Sequence, residues 1–230
     1  MIYTIIPFKD NFFYTKNICE QLKNYQNIII DNGTTCEKTK NYIQDNFLGT
    51  VLEGKGLNIH EMWNRGIEKA LQNQNCKIIA ILNNDIQLSE KALETCTDAL
   101  QKNENLALVF PGNNLPESQI NLVELWHQYG KLLGAWNMLG YCMILKTDWL
   151  LKTKYRFPEK MVYWCGDNDL LLSVITSGHQ SGFVGGCWVE HLNGGGNTGN
   201  WEIQEKKEII KNDKKLLIEK WPDVGGFGNL

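Results

Sequence analysis

Several features are missing from this 230-residue chain, and each gap removes a class of protein. There is no basic excess. The formal net charge is −3 and the sequence pI about 5.8, so no global positive field draws the chain to nucleic acid. No apolar run approaches the roughly 20 residues that a bilayer-spanning helix needs. Met1 to Pro7 is too short for a secretory leader and runs straight into Phe8-Lys9-Asp10, which sets the expectation of a cytoplasmic protein. The seven cysteines are odd in number, scattered and nowhere spaced C-x-x-C. That argues against a structural zinc site and for reduced thiols in a core. No internal repeat or linker divides the chain, and 43% hydrophobic residues suffice for one sizeable core.

What is present in the first 110 residues is a strand–helix rhythm. Tyr3 to Ile6 reads as a buried strand ended by Pro7, which cannot donate to a ladder. Phe12 to Tyr25 has helical spacing at Phe13, Ile18 and Leu22. Asn27 to Ile30 is a second strand closed by Asp31-Asn32-Gly33, with Thr34 or Thr35 to cap the next helix. Thr50 to Leu52 is a short third strand. Between Asn58 and Leu71, residues Ile59, Met62, Trp63, Ile67, Ala70 and Leu71 share one helical face. Ile78 to Leu82 follows as a strand buried on both faces, and Ser89 is placed to cap a helix carrying Ala92, Leu93, Cys96 and Leu100. Leu106 to Phe110 is stopped by Pro111-Gly112. This alternation predicts an α/β fold with a mostly parallel sheet and right-handed crossovers.

Beyond Pro111 the periodicity weakens. Gly140 to Lys146 reads as a strand re-entering the core, Leu170 to Ile175 as an apolar helix ended by Gly178, and Gly182 to Leu192 as a last strand. Asn193 to Asn200 is a Gly/Asn-rich loop, and Trp201 to Trp221 a Lys/Glu-rich helix. The organisation expected is one domain over 1–230: a first half, 1–110, a second half, 111–200, and a C-terminal helix and tail, 201–230.

Polar clusters interrupt this pattern at strand ends and helix starts: Asp31, Asn83-Asn84-Asp85, Asp167 with Asp169, and His191. Each has a plain structural reading. Asn-Asn-Asp serves as a turn, Asp167 as a helix cap and His191 as a core histidine. Taken together they gain weight, because Asp31 and Asp85 both end parallel-type strands, and open α/β sheets place ligands at that edge. Two carboxylates and a histidine there suit a hard divalent cation such as Mg²⁺ or Mn²⁺, useful where a diphosphate is held or departs.

A series of short motifs then carries a resemblance. I-I-P-F-K-D at Ile5 to Asp10, I-I-I-D-N-G-T-T at Ile28 to Thr35, W-N-R-G-I-E-K-A at Trp63 to Ala70 and L-N-N-D-I at Leu82 to Ile86 come first. C-G-D-N-D-L at Cys165 to Leu170, V-E-H at Val189 to His191 and E-K-W-P at Glu219 to Pro222 follow in order. The chain resembles the inverting nucleotide-sugar glycosyltransferases of family 2, which have the GT-A fold, a Rossmann-like and mostly parallel sheet flanked by helices. The resemblance implies that Pro7 and Phe8 meet the nucleotide and that Asp31 bonds its base or ribose. It puts Asn64 and Gly66 on a helix facing the donor, with Asn84 beside them in the donor site. Asp85, the last acid of a D-x-D motif, and His191 would hold Mn²⁺ or Mg²⁺ on the donor diphosphate. Asp167 aligns with the general base and Asp169 with the second acid of that stretch, and the loop behind His191 resembles a flap over the donor.

Two departures bear on these roles. Asn83 stands where many relatives carry the first Asp of D-x-D, and Gly166 where a Glu commonly precedes the base, which leaves the base open between Asp167 and Asp169. The Q-x-x-R-W motif of processive synthases is absent, so a single sugar addition is expected. Trp136, Trp164 and Trp188 offer aromatic faces for a sugar, although Trp188, inside a strand, reads first as core. The acceptor hydroxyl expected is that of a surface glycan. A modified base in phage DNA comes second, because the Glu residues alternating with lysines in the tail helix read as a solvated face. The rival readings are a metal-dependent nucleotidyltransferase and a non-catalytic module binding nucleotide-sugar or glycan. Pro7-Phe8-Lys9-Asp10 replaces the Gly-rich phosphate loop of the former, and joint retention of Asp31, Asp85, Asp167 and His191 disfavours the latter.

Overall fold

The structure, a computed structural model, describes residues 1–128, 131–133, 139–192 and 203–223. In chain order its elements are β1 (Ile2–Phe8), α1 (Phe12–Gln21), β2 (Gln26–Asp31), α2 (Glu37–Asn46), β3 (Thr50–Glu53), α3 (Ile59–Leu71), β4 (Ile78–Leu82), β5 (Ile86–Leu88), α4 (Ala92–Lys102) and β6 (Leu106–Pro111). Then come β7 (Ile120–Leu122), β8 (Trp126–Gln128), β9 (Lys131–Leu133), β10 (Cys142–Lys146), α5 (Thr147–Thr153), α6 (Gly166–Thr176), β11 (Gln180–Val184), β12 (Val189–His191) and α7 (Ile203–Lys220).

Eight strands form one sheet in the order β3-β2-β1-β4-β10-β6-β11-β7. The first four are mutually parallel, β10 inserts antiparallel between β4 and β6, and β11 runs parallel to β6. Strand residues alternate between two cores, as the pleat requires. Ile5, Ile30, Ile79 and Ile81 face one side, covered by α3, α5, α6 and the end of α7. Ile6, Phe8, Ile29, Ala80 and Leu82 face the other, covered by α1 and α4. The chain builds outward from β1 to β3, then returns through α3 to place β4 on the other flank of β1. That reversal is a topological switch point, and the crevice it opens lies at the carboxyl ends of β1 and β4. Since Cys142 pairs with Leu82, the start of β10 lies at the same edge.

Several local expectations give way to tertiary contacts. β1 does not stop at Pro7 but continues to Phe8, in register with Asp31. The Phe8 carbonyl accepts from Asn32 N on the β2 side, so Pro7 turns toward β4, where pairing has already ended at Ile5↔Ile81. No ladder bond is lost there. Thr34 and Thr35 do not cap α2; the Asp10 carboxylate, from the loop after β1, accepts from Thr35 N and Cys36 N. Ser89 does not cap α4 either, because its Oγ accepts from Trp188 N. The last strand divides into β11 and β12 at Gly185-Gly186, where Gly186 has φ 77°, and the two pieces join different sheets. Trp188 therefore lies outside a strand and is 41% exposed, not core. All seven cysteines are free thiols. Trp136 and the loop 193–200 lie outside the described residues.

Candidate active site

The turn between β4 and β5 is held from three directions. Asn83 N donates to Tyr141 O at 2.9 Å, and Asn84 Nδ2 donates to Thr15 Oγ1 on α1 at 3.2 Å. Leu192 N donates to Asp85 O at 2.9 Å, closing the short β5–β12 ladder in which Ile86 faces His191. That ladder brings together two side chains 106 residues apart: His191 Nε2 lies 3.1 Å from Asp85 Oδ1. The Tyr141 ring stacks on His191 with centroids 4.5 Å apart. Asp85 is 2% exposed, so its carboxylate is largely desolvated. Among the described residues no group of three or more His, Cys, Asp or Glu gathers into a metal cage. One carboxylate and one imidazole nonetheless fit a divalent cation that completes its shell with substrate phosphates and water.

Asp167 sits in the first turn of α6, after Cys165, which takes a left-handed φ of 64° as the cap residue. Its Oδ1 accepts from Asn168 N at 2.9 Å. Burial pushes the carboxyl up to about 6, against the lowering effect of the backbone amides. A Cβ on Gly140 would stand 2.6 Å from Asp167 Oδ2, so the carboxylate rests against that glycine backbone. Gly140 immediately precedes Tyr141, the residue stacked on His191. Two consecutive residues thus join the carboxylate to the Asp85–His191 pair.

Asp169 is placed differently. It is 0% exposed and accepts from Tyr155 Oη at 2.9 Å and Trp221 Nε1 at 2.8 Å, with Lys220 Nζ 2.7 Å away. Those partners make it a fully buried anchor between α6 and the end of α7. Asp31 ends β2 on the expected edge, half-buried, with Oδ1 accepting from Thr34 N at 2.7 Å. Pro7 and Phe8 reach that edge through their backbone only, since both side chains are buried.

Asn64 and Gly66 depart from the donor-facing expectation. Asn64 is 3% exposed; its Nδ2 donates to Phe157 O at 2.9 Å and its Oδ1 accepts from Phe157 N at 2.8 Å. Gly66 lies against Ile5 and Ile30, where a Cβ would overlap the Ile5 side chain. Both residues serve close packing of α3, Asn64 on the segment before α6 and Gly66 on the sheet.

Some contributors escape sequence reading. Tyr141 sits in a run that reads as strand, and only the antiparallel insertion of β10 carries it to the edge. Asp213 on α7 is 0% exposed and accepts from Val162 N, Tyr163 N and Trp164 N at 3.0, 2.9 and 2.7 Å, gripping the segment that leads to Asp167. An Asp in a Lys/Glu-rich helix gives no such signal.

The sequence profile described as "Glycosyl transferase family 2" matches residues 14–163. No curated protein shows a significant sequence match. Among solved structures, glucosyl-3-phosphoglycerate synthase from Mycobacterium tuberculosis, in complex with Mn²⁺, UDP and glucosyl-3-phosphoglycerate, is similar at 12% identity and a TM-score of 0.63, over 99% of this chain and 82% of that one. The mannosyltransferase PcManGT from Pyrobaculum calidifontis, in complex with GDP-Man and Mn²⁺, is similar at 13% identity and a TM-score of 0.54, over 81% and 55%. TarS of S. aureus is similar at 11% identity and a TM-score of 0.58 over 80% of this chain, which spans only 35% of TarS. At these identities the likeness is one of fold, the GT-A architecture.

Proposed function

The chain belongs to glycosyl transferase family 2, and from that premise we propose that it moves one sugar from a nucleotide-diphosphate sugar to an acceptor hydroxyl, with inversion at the anomeric carbon. The observation that carries this reading is the convergence of Asp167, Gly140-Tyr141 and the Asp85–His191 pair at the switch-point edge. Residues 1–110 form the donor half: the backbone at Pro7 and Phe8 borders the nucleotide, and Asp31 accepts from its base or ribose. Asp85 and His191 would hold the cation, Mn²⁺ or Mg²⁺, with Asn84 fixing their turn. When bound there, it would supply Lewis-acid stabilisation of the departing diphosphate.

Asp167 is the base. It alone of the two α6 acids retains solvent exposure, and a carboxyl raised to about 6 is near the pH at which it must take a proton. Its Oδ2 accepts the acceptor hydroxyl's proton as the oxygen bonds to the anomeric carbon and the bond to the diphosphate breaks on the opposite face. Residues 111–200 supply the acceptor side. There a cavity of about 250 Å³, lined by Pro111, Gly112, Leu115, Asn121, Leu139 and Phe183, opens beside Gly140. Trp164 and Trp188, each 41% exposed, stand three residues before Asp167 and His191 and offer faces on which a sugar stacks. A glycan hydroxyl is the acceptor favoured; the solvated Lys/Glu face of α7 gives little purchase for nucleic acid. No helix among the described residues is long and apolar enough to cross a membrane.

The test is incubation with Mn²⁺ and a panel of UDP- and GDP-sugars, with detection of free nucleoside diphosphate. Release from at least one donor, lost in Asp167→Asn while nucleotide affinity persists, is expected. No release from any donor, even by slow hydrolysis, overturns the transferase reading.

A further inference from the structure

His60 is the most unusual side chain near the base. It is 0% exposed, and burial lowers its pKa so that the ring is neutral at physiological pH. Nδ1 faces Met161 O as its hydrogen-bond partner, which sets the tautomer: Nδ1 carries the hydrogen and Nε2 the lone pair. Among the described residues Nε2 has no hydrogen-bond partner, a state uncommon for buried nitrogen. It abuts Gly166, the first residue of α6, so closely that a Cβ there would overlap it. The ring is wedged on its other sides, stacked on Phe157 with centroids 6.0 Å apart and tilted against Trp63 at 5.2 Å.

His60 therefore touches both ends of the segment 161–166, whose next residue is Asp167. Its own helix, α3, is locked to the donor half, because Gly66 lets it close on Ile5 and Ile30. Two neighbours, Asn58 capping α3 and Asn64 within it, repeat the pattern. Asn58 Nδ2 donates to Glu159 O at 2.9 Å, and Asn64 brackets Phe157 through both its N–H and C=O. The N-terminal part of α3, from its cap to its second turn, thus carries three holds on residues 157–166.

We infer that His60 is a positioning residue: as a rigid spacer between α3 and Gly166, it sets where Asp167 stands relative to the donor half. The absence of a side chain at Gly166 is the complementary half of the device. The inference rests on Asp167 being the base of the proposed transfer. Placement errors of about 1 Å at a reacting group cost on the order of 100-fold in rate, so a spacer of fixed thickness has kinetic consequences.

The experiment compares Gly166→Ala, His60→Ala and the double variant with the wild type. Three readouts are needed: nucleoside diphosphate release from UDP-glucose and GDP-mannose with Mn²⁺, UDP and GDP affinity by calorimetry, and the ¹³C carboxyl titration of Asp167. Gly166→Ala is expected to lower kcat by about 100-fold at unchanged nucleotide affinity. The double variant is expected to recover about tenfold of that loss, since removing the ring gives the new methyl room. A merely structural contact would move stability without this split between kcat and affinity. Wild-type turnover in Gly166→Ala, or a double variant no better than Gly166→Ala, overturns the inference. Should Gly166→Ala not fold, a double variant that folds supports it and one that also fails overturns it. If the wild type releases no diphosphate, the transferase reading falls, and the titration alone decides. An Asp167 curve displaced in Gly166→Ala and restored in the double variant supports the spacer, and identical curves refute it.

Discussion

Half-buried, the Asp167 carboxyl is desolvated with few compensating partners among the described residues, chiefly Asn168 N, and its pKa is raised to about 6. In the unfolded chain the same group ionises in the ordinary carboxylate range, two pH units or so lower. Below both values neither state is charged and folding loses nothing. As pH rises between them only the unfolded chain sheds its proton, so stability falls, and above 6 the full penalty of about 3 kcal/mol applies. Asp167→Asn is therefore expected to be more stable than the wild type at pH 8 by up to about 3 kcal/mol, with the gap closing near pH 4. Urea denaturation at the two pH values checks this, and a gap between variant and wild type that is the same at both would refute the desolvated, raised carboxyl. Turnover should run the other way, rising with pH through about 6 in the wild type as the base deprotonates, and absent in Asp167→Asn. At this scale the chain is legible only where a residue ends an element. Asp31, Asp85, Asp167 and His191 stand out because each interrupts or closes an apolar run. His60 and Tyr141 do not, because their importance comes from partners about 100 and 50 residues away along the chain.

α7 is fastened at two points, and both fasteners are buried carboxylates whose partners are remote. Near its middle Asp213 receives three backbone amides from 162–164, and at its end Lys220 and Trp221 meet Asp169 of α6. Asp213 and Leu217, one turn apart and both 0% exposed, form the docking stripe. Asp213→Ala orphans three amides at once, and a loss on the order of 3 kcal/mol is expected from charge-assisted bonds of this kind. Thermal denaturation checks it. The same change should lower kcat more than nucleotide affinity, because the freed segment leads directly to Asp167; unchanged kcat would separate the clamp from the chemistry. The sequence shows this helix but not its inner face. A Lys/Glu-rich repeat around Asp213 reads as solvated, and nothing local distinguishes an acid that accepts three amides from one that faces water. The same blindness explains Ser89 and Thr35, whose polar groups look like caps yet are answered by Trp188 N and Asp10 from elsewhere in the fold.

Across the whole molecule, the first four parallel strands were legible because each apolar run is separated from the next by a helix-length segment, and that rhythm admits few topologies. The insertion of β10 antiparallel in the middle of the sheet was not, since strand direction leaves no mark in a run such as Cys142–Lys146. That insertion brings distant parts together: it delivers Gly140 and Tyr141 to the edge where β4 ends, between the Asp85–His191 pair and Asp167. A ligand spanning the edge should consequently stabilise the molecule as a whole, not one half of it. With UDP or GDP at 100 times its dissociation constant the gain is about 2.7 kcal/mol, which for a chain of this size raises Tm by about 5–10 °C. If Asp85 and His191 hold the cation as proposed, they are two donors among the described residues, the nucleotide phosphates would help complete its shell, and the two ligands should bind as a pair. Thermal shift is expected only when Mn²⁺ and the nucleoside diphosphate are both present, to vanish with EDTA, and to lose its Mn²⁺ dependence in Asp85→Ala. A full shift by nucleotide alone, or an Asp85→Ala protein that still needs Mn²⁺ for it, would remove the cation from Asp85.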